Sequence, residues 1–298
     1  MIETNQESKA VFATTRDGVR LAMLRFARPD TRFAPVLLTH GTFSNASICT
    51  RFADYLRAAG FDTWVFEWRG HGASEAGETE ADYEHLADYD VEGATRFVLE
   101  QTGAQNLCFV GHSAGGVLPW MHLARTPSHA SRFRGIASLA SQTTHAGRSF
   151  ARNLALSTTI LLSRMFGRAP ARLFRLGPND ETHAFMAQWA RWNMDGRWIG
   201  AGGLDYLERL ATLRIPAMIL AAAGDRFIAP LAGCRQLFDA LGTSEKTFIH
   251  CGKADGFSED YTHGRIIASK GAQAEIWPRV ATWLETLHST RKVSELQT

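Results

Sequence analysis

The short apolar run that ends at Val110 leads straight into Gly111-His112-Ser113-Ala114-Gly115 and then into a helix-forming stretch over 116–124. An apolar run of strand length over 106–110 suits a strand covered on both faces. A serine at the next turn, between glycines, stands where strand, turn and helix crowd together, and in that setting G-x-S-x-G presents a nucleophile. A serine hydroxyl is a weak nucleophile at neutral pH, so it needs a base beside it and N–H donors aimed at the developing oxyanion. The Ala114 N–H is the first such donor. In a chain with 26 glycines the pentapeptide recurs by chance, so its surroundings must carry the reading.

Those surroundings are regular. Alternating segments 10–15 and 20–27 flank Asp17-Gly18 and predict an antiparallel hairpin at a sheet edge. Strands are then expected at 35–39, 63–67, 106–110, 135–139, 217–221 and 246–250, with helices at 48–59, 83–100, 116–124, 231–240 and 272–287. This alternation predicts an α/β fold, a mostly parallel sheet flanked by helices. From 142 to 213 no strand is expected, only helical material rich in Leu, Phe, Met and Trp, with breaks at Pro170 and Pro178. An insertion that long after the sixth strand predicts a helical cap at the carboxyl edge of the sheet. The domain division is therefore a core of 1–141 and 214–298 with a cap of 142–213. Gly200-Ala201-Gly202-Gly203 has no preceding strand and reads as a loop, not a dinucleotide fingerprint.

Composition narrows the partners. With 32 basic and 30 acidic residues the formal charge is +2, which gives no electrostatic case for nucleic acid. The four cysteines, Cys49, Cys108, Cys234 and Cys251, form no C-x-x-C pair and suit a reducing compartment. Residues 1–9 lack the basic start and apolar stretch of a secretion signal, and the apolar stretch 154–166 is short and interrupted by Arg164. The expectation is a soluble, cytoplasmic protein.

If Ser113 is the nucleophile, an acid and then a histidine should follow it in the chain. Asp225 comes directly after the strand pattern 217–221, at the same sheet edge as Ser113, whereas no carboxylate closely follows the strand 135–139. Both His250 and His263 lie beyond Asp225. His250 closes a strand pattern; His263 sits in the loop Asp260-Tyr261-Thr262-His263-Gly264, where an imidazole can reach between acid and serine, and it is the preferred base. The second oxyanion donor is expected at Thr42, because Gly41 lets the backbone after the strand 35–39 bend toward the site. Phe43, His112 and Trp189 are the expected substrate-binding residues. His40 and His71 read as structural. His145 and His183 can face the pocket but have no spaced carboxylate or cysteine, so neither a metal nor an organic cofactor is expected.

His40-Gly41-Thr42, Glu67-Trp68-Arg69-Gly70-His71-Gly72-Ala73-Ser74, Gly111 to Gly116, Gly224-Asp225 and Asp260 to Gly264 together resemble the α/β-hydrolase-fold serine hydrolases, specifically their acid-lipase-like and predicted bacterial hydrolase branch. The resemblance spans the sheet, extends through 272–278, is weak across the cap, and adds weight to His263. It implies acyl transfer through Ser113, His263 and Asp225 with Thr42 and Ala114 as the oxyanion hole. The chain departs from the branch at Glu67, where Asp is usual, and at Gly264-Arg265, where Arg265 can bias the pocket toward an anion.

The implied substrate is a small-molecule ester or acyl compound with a fairly hydrophobic part. Thioester cleavage, carbon–carbon bond hydrolysis and a non-catalytic ligand receptor are the alternatives on the same fold. Epoxide hydrolase and dehalogenase chemistry need a carboxylate where Ser113 stands. Within 142–200 there are eight arginines, no lysine and three acidic residues, interleaved with aromatics. Contact with an anionic membrane surface is one reading; the preferred one is an amphipathic lid whose arginines form a solvated face.

Overall fold

The computed structural model describes residues 10–28, 30–147 and 149–295. In chain order its strands are β1 Val11–Thr14, β2 Arg20–Phe26, β3 Val36–Thr39, β4 Thr63–Phe66, β5 Leu107–His112, β6 Phe133–Leu139, β7 Arg168–Ala169, β8 Glu181–Thr182, β9 Ala217–Ala222 and β10 Lys246–Cys251. Eight of them form one sheet in the order β1-β2-β4-β3-β5-β6-β9-β10. The β1–β2 and β2–β4 pairings are antiparallel, which is the predicted edge hairpin, and every pairing from β4 to β10 is parallel. Strands β3, β4, β5 and β9 are buried at every residue, as the apolar sequence runs demand of a sheet covered on both faces.

Helices supply that cover. Ser47–Ala58 packs against Trp277–Glu295, while Leu118–Arg125 packs against the helical segment over 86–91 and the helix Tyr206–Leu210. At the sheet's centre Phe109 is fully buried, with the rings of Phe66 and Phe133 at centroid distances of 6.2 and 6.3 Å. The strand order reverses at β3, which has β4 on one side and β5 on the other. Loops leaving the carboxyl ends on either side of such a reversal diverge, and the crevice between them is where α/β sheets bind ligands.

After β6 the chain makes the predicted helical insertion, whose helices Phe150–Met165 and His183–Asp195 pack on each other. Ser149 and Thr182 cap them by accepting the N–H groups of Arg152 and Phe185. Three elements differ from expectation. The strandless interval contains β7 and β8, a two-residue antiparallel pair joined across Pro170 and Pro178, too short to leave a periodic signal. The expected helix 272–287 is broken into Lys270–Glu275 and Trp277–Glu295, because Pro278 lacks an N–H and fits only the first turn of a new helix. The expected helix 83–100 opens into a wide π-type turn at Leu86–Val91. That turn carries fully buried Asp90, whose carboxylate accepts the Arg69 backbone N–H at 2.9 Å and Nε–H at 2.7 Å.

Phe109→Ala should lower stability by about 3–5 kcal/mol, since it removes a ring that three strands share and leaves a cavity behind. Urea unfolding followed by tryptophan fluorescence measures this, and an unchanged midpoint would refute the packing described.

Candidate active site

Ser113 follows β5 directly, with φ +57°. A left-handed conformation costs a non-glycine residue about 1–2 kcal/mol, and the turn is held by what surrounds it. A Cβ on Gly115 would lie 2.1 Å from the His40 carbonyl oxygen, so the helix that starts here can approach the β3 loop only with glycine at that position. Gly41 meets Ser113 itself: a Cβ there would sit 2.6 Å from the Ser113 Cβ.

The Ser113 hydroxyl oxygen lies 2.8 Å from His263 Nε2, and His263 Nδ1 lies 2.5 Å from Asp225 Oδ2. A carboxylate only accepts, so Nδ1 carries the proton and Nε2 is left to accept the serine O–H. Asp225 leaves the end of β9, and its oxygens also accept the backbone N–H groups of Ile228 at 3.0 Å and Ala229 at 2.9 Å. Burial works to raise the Asp225 pKa, but the hydrogen bond and charge of His263, with the N–H groups of Ala229 and Phe227, outweigh it and hold the carboxyl below its ordinary value. The two loops are joined: the Gly224 N–H donates to the Tyr261 carbonyl at 2.8 Å. His250 stands apart, in β10, with Nδ1 2.7 Å from Asp255 Oδ2.

Thr42, Ala114, Ser113 and His263 all line a cavity of about 490 Å³. Phe43 and Trp189 also line it, together with apolar side chains such as Leu162, Met186 and Phe227, and among the described residues no Asp, Glu, Lys or Arg does. His112, expected at the substrate, lies outside the lining. Its Nε2–H donates to the His263 carbonyl at 2.8 Å, so it holds the histidine loop from behind, and burial first, then the nearby His263, push its pKa down to about 3. Arg265 does not line the cavity either: it forms two hydrogen bonds with Glu259, at 2.6 and 2.8 Å. Neither His145 nor His183 lines it; His183 Nδ1 lies 2.9 Å from Ser163 Oγ. No group of three or more His, Cys, Asp or Glu suited to a metal occurs among the described residues.

Sequence reasoning missed the grip of the cap on the loop that carries Thr42. Phe43, next in the chain, has φ +63°. Its N–H donates to Glu181 Oε1 at 2.7 Å and its carbonyl accepts the Asn179 N–H at 3.1 Å, so the segment around β8 holds it from both sides. Glu181 is buried and also lies 3.2 Å from His71 Nε2, while His71 Nδ1 lies 3.1 Å from the Arg69 carbonyl. Both His71 nitrogens thus face acceptors; burial lowers its pKa, but Glu181 outweighs that and raises it. The available signal was compositional: Glu181 is one of only three acids in the arginine-rich interval 142–200. Glu67 holds the neighbouring turn, accepting the N–H groups of Ala46 at 3.1 Å and Ala73 at 2.7 Å.

Glu181→Ala should cost about 1–3 kcal/mol by stranding the Phe43 N–H, and Glu181→Gln, which keeps an acceptor, distinctly less; urea midpoints compare them. A second expectation concerns pH. Burial lowers the pKa of His40, His112 and His122, so each stays neutral when folded yet takes a proton in the unfolded chain below its ordinary value near 6.5. Their contribution is complete above that value and is lost as pH falls, by about 1.4 kcal/mol per pH unit for each proton taken up. His71 acts oppositely, its contribution being complete below the ordinary value and lost as pH rises through its raised one. His129 and His288 are lowered as well, while burial raises the Asp90 carboxyl to about 6, so that like His71 it favours the fold as pH falls. Five lowered groups against two raised ones predict a net fall in urea midpoint from about pH 7 to about pH 5, and a flat profile would contradict it.

Comparison with known proteins places this geometry. The family described as alpha/beta hydrolase fold matches residues 34–260. Lipase member M of Mus musculus is 27% identical over 176 residues, 52% of this chain and 42% of that protein. The lysosomal acid lipase/cholesteryl ester hydrolase of Homo sapiens is 29% identical over 148 residues, 43% of this chain and 37% of that protein. The match thus spans less than half the length of these curated relatives. Among solved structures, an esterase from Exiguobacterium antarcticum superposes with a TM-score of 0.68 at 16% identity, covering 92% of this chain and 99% of that one. A monoacylglycerol lipase from Paleococcus ferrophilus gives 0.62 at 18% identity, covering 90% and 99%. Sheet order, the turn at Ser113 and the family match over most of the sequence lead to one conclusion: the chain belongs to the alpha/beta hydrolase fold family.

Proposed function

We propose that this chain is a serine hydrolase that cleaves a carboxylic ester of a fairly hydrophobic substrate through an acyl-enzyme. The observation that carries the reading is the pair of contacts from His263, to Ser113 Oγ at 2.8 Å and to Asp225 Oδ2 at 2.5 Å. His263 Nε2 takes the serine proton as Oγ bonds to the carbonyl carbon, and the carbonyl electron pair moves onto oxygen. The N–H groups of Thr42 and Ala114 hold that oxyanion, each contributing about 10²–10³ in rate. The same Nε2–H then protonates the departing alkoxide. Water, deprotonated in turn by His263, attacks the acyl carbon and releases the acid with Ser113 restored. Asp225 steadies the imidazolium throughout.

The cavity supports an apolar, uncharged acyl or alcohol part, since no Asp, Glu, Lys or Arg lines it among the described residues. In this reading the core, 1–141 and 214–298, supplies the reacting groups and the cap, 142–213, roofs them. The likeness to lysosomal acid lipase over 43% of the chain supports the acid-lipase-like branch within the family. Four free, buried cysteines support a cytoplasmic setting.

The test is a series of p-nitrophenyl esters of increasing chain length beside acyl thioesters, with fluorophosphonate labelling followed by peptide mapping. Ester turnover and an adduct on Ser113 are expected. His263→Ala should lower kcat by about 10⁴-fold or more, and His250→Ala should leave it close to wild type. Preference for thioesters would move the reaction class, and no turnover without an adduct would make the fold a ligand receptor.

A further inference from the structure

Large apolar side chains left in solvent concentrate in one stretch, residues 150–176. On the cap helix Phe150–Met165, Phe150, Leu154, Leu161 and Met165 are 86%, 58%, 58% and 70% exposed. Their positions recur on one side of a 3.6-residue helix, and the opposite side turns Leu156 into the protein and Thr159, Leu162 and Ser163 onto the cavity. The helix is therefore apolar on its outer face as well. Beyond its end the stripe continues through Phe166 to Phe174 and Leu176, which are exposed and also line the cavity. Phe227 and Ile228, exposed too, line the cavity from the loop after β9.

The charge over this stretch has one sign. From 149 to 179 the chain holds Arg152, Arg164, Arg168, Arg172 and Arg175, with no lysine and no acid. Arg168 lies 3.8 Å from Asp180, and Arg152 donates to the Arg226 carbonyl; Arg164, Arg172 and Arg175 are exposed. A solvated lid would turn arginines outward and apolar groups inward. Here both face outward, which water does not favour and a lipid headgroup layer does: apolar side chains enter the acyl boundary while guanidinium groups reach up to phosphate.

We propose that the outer face of the cap docks on an anionic lipid surface and sets the mouth of the cavity against the acyl layer. Charge decides the occupant. A second copy seated on the same face would bring two all-arginine segments together, whereas anionic phosphates neutralise them. The cytoplasmic leaflet, rich in anionic lipid, is the surface of this kind in the proposed compartment.

The experiment is co-sedimentation of the full chain with phosphatidylcholine vesicles and with mixed phosphatidylcholine–phosphatidylglycerol vesicles, at low and high salt, beside light scattering of the protein alone. Retention on the mixed vesicles at low salt, falling with salt, is expected. Phe150→Ser with Met165→Ser should weaken partition about tenfold or more. Arg164→Gln with Arg175→Gln should weaken it about fivefold per arginine on the mixed vesicles only. Both pairs alter exposed side chains, and thermal melts check that the fold survives. Wild-type protein left in the supernatant, or a serine pair that binds like wild type, overturns the proposal. So does a concentration-dependent dimer that the serine pair abolishes, which would assign the face to a second copy. None of these readouts uses turnover, so failure of the hydrolase reading leaves the measurement intact.

Discussion

The crowding around Ser113 is the constraint on which the carboxyl edge of the sheet depends. The β3 loop, the end of β5 and the helix start at 113–116 approach so closely that Gly41 and Gly115 leave no room for a Cβ, and Ser113 is driven to φ +57°. A conformation that costs energy by itself persists only where packing over-determines it. Here fully buried β3 on one side of β5 and β6, buried at all but Arg134, on the other do so. The serine is only 7% exposed, yet its hydroxyl opens onto the cavity, because the insertion after β6 shields the turn from bulk water without filling it.

The cap is tied to the core at the loop where geometry matters most. Glu181 and the Asn179 N–H hold Phe43 from both sides, next to Thr42, and Glu181 faces His71, whose ring lies 5.1 Å from that of His40. A buried carboxylate is tolerated there because two donors satisfy it, and its loss would leave both unpaired. The insertion that carries an arginine-rich outer face thus also carries the carboxylate that fixes the loop beside Ser113, so whatever seats the cap bears on the geometry of the loop that carries Thr42.

Much of this was legible in the residues. The edge hairpin, the parallel strands and the cap's place after β6 followed from strand-length apolar runs, the turn at Asp17-Gly18 and a strandless interval. The convergence of Ser113, Asp225 and His263 followed from the first two lying just past a strand and the third in the longer loop after β10, since parallel strands deliver their following loops to one edge. What escaped was either too short or non-local. The β7–β8 pair has two residues per strand; the wide turn at Leu86–Val91 answers to Arg69, some twenty residues away in sequence; His112, adjacent to Ser113, turns to the back of the histidine loop instead of the cavity.

By itself, the sequence determined the periodicities and the chain positions of the chemical groups, because both are written in local order: which runs are apolar, where glycines allow a tight turn, which carboxylate and histidine follow a strand. Tertiary structure alone decided which way the cap helix faces. Phe150, Leu154, Leu161 and Met165 share one side of that helix on any reading, but only packing against His183–Asp195 and over the cavity turns that side outward. A helix with apolar residues on two sides has no intrinsic inside, so its orientation is set by the partner it meets.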